Sequence, residues 1–199
     1  MRTTTVALAV TAASAALTAA AAAVYVGSVT GAMPIDLRVG RRLRPLGPQV
    51  VNVAAPREVV YAVLTEPYLG RQTRAVAEKV RILDRGTDMV LADHLTPLPG
   101  GLRARTTETV RFTAPDHIDF RLVRGPVPYV VERFQLTETP DGTRLEYHGE
   151  LGTDLGPLGG RWAAIVAPRW ENVVAGTFAA VKTEAERRAK PRGTAGREG

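Results

Sequence analysis

The sequence predicts an α+β chain in which an antiparallel sheet of about seven strands grips a long C-terminal helix around a cavity. Three observations carry this expectation. A short β-branched run from Gln49 to Val53 passes through Ala54-Ala55 straight into an amphipathic segment opened by Pro56. Strand-like alternation then recurs from Leu102 to Leu151. From Leu158 the apolar period changes from two residues to that of a helix.

The first helix follows from spacing and from its first residue. Val59, Val60, Val63 and Leu64 fall on one face at steps of three and four. Pro suits a first helical turn, where its missing N–H leaves no bond unmade. Pro67-Tyr68-Leu69-Gly70 then breaks the pattern. Ala75 to Asp84 reads as a strand with Val76, Val80 and Ile82 on one face, Arg85 to Asp88 as a turn, and Met89 to Leu95 as the next strand.

Leu102 to Phe112 alternates most clearly. Arg103, Arg105, Thr107, Thr109 and Arg111 point one way; Leu102, Ala104, Thr106, Glu108, Val110 and Phe112 point the other. One polar and one apolar face mark a half-buried antiparallel strand. His117 to Arg124 follows with Ile118, Phe120 and Leu122 inward, then Tyr129 to Thr139 with Val130, Glu132, Phe134 and Leu136 inward. Asp141-Gly142 is a hairpin turn, and Thr143 to Leu151 places Leu145, Tyr147, Gly149 and Leu151 inward. Short turns between these runs make a meander. In the final segment Trp162, Ile165, Val166, Val173, Thr177 and Ala180 share a helical face, with a kink expected at Pro168.

Composition bounds the chemistry. The 199 residues contain no cysteine, which excludes disulfides and thiolate metal sites. Lys and Arg number 26 against 20 Asp and Glu, a net charge of +6. The excess is nearly all Arg and gathers beside the N-terminal apolar run and in the tail, which favours a membrane over nucleic acid as partner.

That apolar run is uncharged from Thr3 to Ile35. At roughly 1.5 Å per residue its centre is long enough to cross a hydrocarbon core of about 30 Å. A transmembrane anchor over residues 4–29, a cleaved signal peptide and a soluble Ala-rich helix are the three readings. Arg38, Arg41, Arg42 and Arg44 follow the run closely. By the positive-inside rule a single-pass anchor then leaves the soluble domain in the cytoplasm. The same arginines either rest on anionic head groups or serve only as a stop-transfer signal. Residues 30–48 read as a basic linker, 49–190 as the folded domain and 191–199 as a disordered tail.

The order of strand, helix, six-strand meander and long helix resembles the START-like superfamily of polyketide cyclase/dehydrase and lipid-transport (SRPBCC) proteins. The residues that carry it are Val51-Asn52-Val53-Ala54-Ala55-Pro56-Arg57-Glu58-Val59-Val60-Tyr61, the hairpin Asp141-Gly142-Thr143-Arg144-Leu145 and the terminal amphipathic helix. The resemblance spans about Gln49 to Lys190. It implies a helix-grip fold, a curved sheet around the last helix with an apolar cavity between them. It leaves the N-terminal run outside its pattern.

Polar residues on the apolar faces are where ligand chemistry is expected. Glu108 and Glu132 interrupt otherwise apolar strands, and a buried carboxylate needs a partner or a raised pKa. Counting back from the Ala114–Asp116 turn puts Glu108 beside Leu122 and one diagonal step from Arg124. An Arg124–Glu108 pair in the pocket and a solvated pair at its rim are both compatible with that count. Arg169 either meets an acidic group in the pocket or reaches solvent. Phe120, Phe134, Tyr147, Trp162 and Trp170 either line a pocket or simply fill the core.

His94, His117 and His148 show no metal-ligand spacing, and no catalytic constellation or cofactor motif is visible. The leading expectation is a membrane-tethered domain binding a lipid or polyketide-like molecule. An aromatic cyclase/dehydratase-type enzyme using Glu108 or Tyr147 is the first alternative, and a non-enzymatic interaction module with a filled core the second.

Overall fold

The computed structural model describes residues 18–33, 36–70 and 74–190. Seven antiparallel strands form one curved sheet. They are β1 (Arg42–Val53), β2 (Val80–Arg85), β3 (Met89–Pro97), β4 (Arg103–Thr113), β5 (His117–Arg124), β6 (Tyr129–Thr139) and β7 (Gly142–Thr153). Their order, β1-β7-β6-β5-β4-β3-β2, is a meander with β1 returned to the edge beside β7. Among the described residues four α-helical segments accompany it: α1 over residues 18–29, α2 (Arg57–Leu69), the single turn α3 (Arg74–Ala77) and α4 (Pro157–Ala189).

The alternation places the core where it was expected along β6 and β7. Val130, Glu132, Phe134 and Leu136 are buried on β6, as are Leu145, Tyr147 and Leu151 on β7. Phe134 is the hub of an aromatic chain, with ring centroids 4.8 Å from Phe120, 5.8 Å from Tyr147 and 5.1 Å from Phe178 of α4. Burying such rings stabilises by about 1.5–3 kcal/mol each.

Several boundaries differ from the sequence expectation. β1 begins at Arg42, not Gln49, and pairs with β7 along its whole length. Pro45 and Pro48 argued against a strand there. On the edge strand, however, one side of the backbone needs no ladder partner, so proline is tolerated. A bulge between Leu46 and Gln49 absorbs Gly47, whose φ of +78° favours glycine and whose N–H donates to Glu171 Oε1 of α4 at 2.9 Å. α2 runs through Pro67 to Leu69 because Tyr68, seven residues after Tyr61, is buried on the same face. The strand expected over Ala75–Asp84 is shortened to β2 by the turn α3.

α4 continues unbroken through Pro168. Its core stripe is Ala163, Val166, Ala167, Val174, Phe178, Val181 and Ala185, largely one residue on from the face expected. Ile165 and Val173 are 47% and 48% exposed.

The N-terminal expectations meet the structure only in part. Among the described residues no helix is long and apolar enough to cross a membrane. Residues 4–17 of the expected anchor lie outside the described residues, and so does the tail 191–199. Arg41 does not reach outward as a lipid contact, because Asp154 holds it: Nε lies 2.7 Å from Asp154 Oδ1. Asp154 also accepts the backbone N–H groups of Leu37 and Arg38, which pins this segment to the start of α4.

Candidate functional site

A cavity of about 210 Å³ lies between the sheet and α4. β3, β4, β5 and β6 supply one wall, α4 the other, and Tyr68 of α2 and Tyr25 and Val29 of α1 complete it. Its lining is mostly apolar, as usual for small-molecule sites. The inner part is formed by buried residues, including Tyr68, Phe120, Phe134, Glu108 and Glu132. The mouth is marked by the exposed residues Tyr25, Ile165, Arg169 and Val173.

Two polar groupings stand in the inner part. Glu132 Oε1 accepts two hydrogen bonds at 2.6 Å, from the Tyr147 hydroxyl and from the Trp170 indole N–H. Glu132 borders the cavity, and its Oε2 has no hydrogen bond among the described residues. Burial, then the charge of Glu108, pushes the Glu132 carboxyl up to about 7 against the pull of its two donors. The second grouping is a chain. The Tyr68 hydroxyl is 2.9 Å from His94 Nε2, and His94 Nδ1 is 3.0 Å from Glu108 Oε2. The latter contact has ion-pair distance without the alignment of a full hydrogen bond. Burial opposes an imidazolium at His94, but Glu108 outweighs it and the ring's pKa is raised. Burial also raises the Tyr68 phenol, with Glu108 and Glu132 adding to it.

Of the residues expected at a ligand site, Glu108, Phe120, Glu132, Phe134, Trp162, Arg169 and Trp170 border this cavity. Tyr147 stands behind Glu132 and is fully buried. Arg124 is elsewhere. A register shift between Thr107 and Glu108 sets Arg124 opposite Thr107, on the outer face, and its Nη2 donates to Ala32 O at 3.1 Å. The Arg124–Glu108 pair therefore does not form, and His94 occupies the place beside Glu108. Arg169 meets neither glutamate; it lies at the exposed mouth and donates to Ile165 O at 2.8 Å.

Sequence reasoning missed His94 and Tyr68, although a signal existed for both. His94 follows Val90 and Ala92 at steps of two, and these are buried at 2% and 0% exposure. Tyr68 continues the Tyr61–Leu64 stripe. Nothing in the sequence indicated that Tyr25 and Val29 reach the cavity.

Residues 48–186 match the family described as polyketide cyclase / dehydrase and lipid transport. The chain belongs to this family. No curated protein matches the sequence. Solved structures share the family's fold. The Zhui aromatase/cyclase from Streptomyces sp. R1128 is 21% identical, with a TM-score of 0.55 over 76% of this chain and 99% of its own. Norcoclaurine synthase from Thalictrum flavum, in complex with dopamine and hydroxybenzaldehyde, is 14% identical, with a TM-score of 0.58 over 79% of this chain and 95% of its own. The di-domain aromatase/cyclase StfQ of the steffimycin biosynthetic pathway is 16% identical, with a TM-score of 0.55 over 75% of this chain. This chain spans about half of StfQ's length, 52%. At such identities the likeness is one of fold, and activity must be argued from the site. In this polyketide cyclase/dehydrase-family chain the site is a greasy cavity with two carboxyls and an imidazole inside it.

Proposed function

We propose that the domain binds a hydrophobic small molecule with one hydrogen-bonding end, a lipid or polyketide-like compound, and that the N-terminal apolar run tethers it to a membrane. One observation carries the binding reading: a mostly apolar cavity whose lining includes the buried carboxyls of Glu108 and Glu132. An apolar body is favoured by the walls, and a hydroxyl or amine donor is favoured at Glu132. The open volume beside Phe120, Phe134 and Trp162 speaks against the alternative of an interaction module with a filled core. Organic extraction of the purified full chain tests the reading, together with thermal unfolding in the presence of added fatty alcohols and polyketide-like phenols. A co-purifying apolar compound or a raised Tm is expected; neither appearing would end it.

A second reading, a cyclase/dehydratase-type enzyme, is favoured by the titration of Glu132. A carboxyl held near neutrality can take a proton and return it. Next to a poly-β-keto chain, ionised Glu132 would accept a proton from the carbon between two carbonyls. The Tyr68–His94–Glu108 chain would supply a proton to the oxygen that leaves as water. Turnover of a poly-β-keto thioester by the wild type, lost in Glu132→Gln with the fold intact, is the outcome this reading requires. Equal turnover by the two proteins removes it.

A further inference from the structure

The part of α1 that stands away from the domain has an unusual surface. Residues 18–24 are exposed and none is charged; Val24 is 46% exposed. The uncharged stretch continues back to Thr3 in the sequence.

The other end of α1 is fastened to the mouth of the cavity. Val29 is 6% exposed and lines the cavity. Tyr25 meets Trp162 edge to face, with centroids 5.9 Å apart. Gly31, at a φ of +68°, lies so close to β4 that an added Cβ would be 3.1 Å from Arg105 O. Arg124 holds Ala32 O. The apolar helix therefore leaves the domain at the mouth itself and not through a free linker. Tyr25 and Val29 are one helical turn apart, about 6 Å.

The rim has the composition of a lipid interface. Leu158, Trp162, Ile165, Arg169 and Val173 succeed one another at helical spacing along α4, and Leu158 is 62% exposed. Beside the start of α4, Leu155 N–H bonds to Val39 O at 2.8 Å. That contact brings Val39, 63% exposed, next to Leu155, 47% exposed. The exposed charges interspersed here are mostly cationic, Arg38, Arg42, Arg161 and Arg169, with Asp36 beside Arg38 as the exposed anion. Apolar side chains among arginines suit anionic head groups, with a Tyr and a Trp at the boundary. A second copy on this face would set like charges together, whereas an anionic bilayer neutralises them.

We propose that the cavity exchanges its ligand directly with an anionic bilayer, its mouth seated at the lipid surface and α1 holding it there. This rests on the reading of the cavity as an apolar-ligand site. The ligand is then a membrane-dissolved molecule that passes between lipid and cavity along the Tyr25–Trp162 edge without crossing water.

The two tryptophans allow a direct test. In full-length Trp170→Phe only Trp162 emits. The protein is reconstituted in vesicles of phosphatidylcholine and phosphatidylglycerol in equal parts, with or without phosphatidylcholine brominated near the top of its acyl chains. Interfacial side chains lie about 5–10 Å into the head-group region, so Trp162 is expected to lose roughly half its emission to the bromine. If Trp170→Phe does not fold, the wild type is compared with Trp162→Phe, and the quenched component should vanish in the latter.

A second arm measures uptake of diphenylhexatriene, delivered either from the vesicles or from solution. Leu158→Glu, outside the cavity lining, should slow vesicle delivery about tenfold and leave solution delivery unchanged. An unquenched Trp162 with normal uptake from solution overturns bilayer loading while the ligand reading stands. A quenched Trp162 with no uptake by either route overturns the ligand reading, and loading with it. A stable dimer in vesicles that leaves Trp162 unquenched overturns the proposal in favour of a second copy on this face.

Discussion

The Trp170 indole N–H donates to Glu132 Oε1 at 2.6 Å, a bond that ties the middle of α4 to β6 across one side of the cavity. The Tyr147 hydroxyl reaches the same oxygen from behind. One carboxylate oxygen is thus engaged by the scaffold, in a residue that borders the cavity.

Glu132 should make stability depend on pH in a defined direction. Its folded pKa, about 7, lies above the ordinary 4.5, so the folded state holds the proton more tightly. The favourable contribution is complete below about pH 4.5 and is lost as pH rises through 7. Glu132→Gln keeps an oxygen acceptor for Tyr147 and Trp170 but cannot ionise. It should be more stable than wild type at pH 8, by on the order of 3 kcal/mol, and show no such gain at pH 4.5. Urea unfolding at the two pH values measures this. His94, whose pKa is also raised, leaves a residual fall in stability with rising pH in the variant.

Trp170→Phe removes one of the two donors to Glu132. The lost hydrogen bond should cost about 1–3 kcal/mol in urea unfolding, the upper part of the range above pH 7, where the buried acceptor is charged. With one stabilising donor gone, the Glu132 carboxyl should move further up, which an NMR titration of a ¹³C-labelled glutamate side chain would register as a higher midpoint. An unchanged midpoint would mean that the indole contributes nothing to the ionised form.

Asp154→Ala should loosen the start of α4. Asp154 accepts from Leu37 N, Arg38 N and the Arg41 guanidinium, and its pKa is lowered chiefly by Arg41. Removing it leaves the Leu37 and Arg38 N–H groups without this acceptor, while Arg41 keeps only Asp36, at a cost of about 2 kcal/mol. Faster amide exchange at Leu37 and Arg38 is the accompanying sign. The wild type should lose the same contribution as pH falls through the lowered pKa.

Gly47→Ala should destabilise by about 2 kcal/mol or more, since it adds strain at positive φ to a clash. A Cβ there would lie 2.8 Å from Tyr147 O, a backbone atom that cannot swing away. Thermal unfolding measures the loss. A variant as stable as wild type would show that the β1 bulge can be remodelled without disturbing β7.

Much of the fold was legible in the chain because its signals are local. Period-two burial along β6 and β7, the Asp141-Gly142 turn and the helix opened by Pro56 each depend on a few neighbouring residues. Glu108 and Glu132 stood out for the same reason, as polar residues in apolar rows. The errors came where long-range packing outweighs local preference. Pro45 and Pro48 are strand residues because β1 is an edge, and Pro67 sits inside a helix because Tyr68 is buried beyond it. The face of α4 was misjudged because two apolar stripes run side by side, one into the core and one along the mouth.

What the sequence determined by itself was the order of elements, the sides of the strands and the two buried carboxyls, all consequences of covalent spacing. Which groups those carboxyls meet was decided only by tertiary structure. A one-residue shift between β4 and β5 turned Arg124 outward to Ala32, and the pairing of β3 with β4 brought His94 to Glu108. Trp170 reached Glu132 only once α4 lay across the sheet. Partners far apart in the chain are chosen by register and docking, which no local pattern encodes.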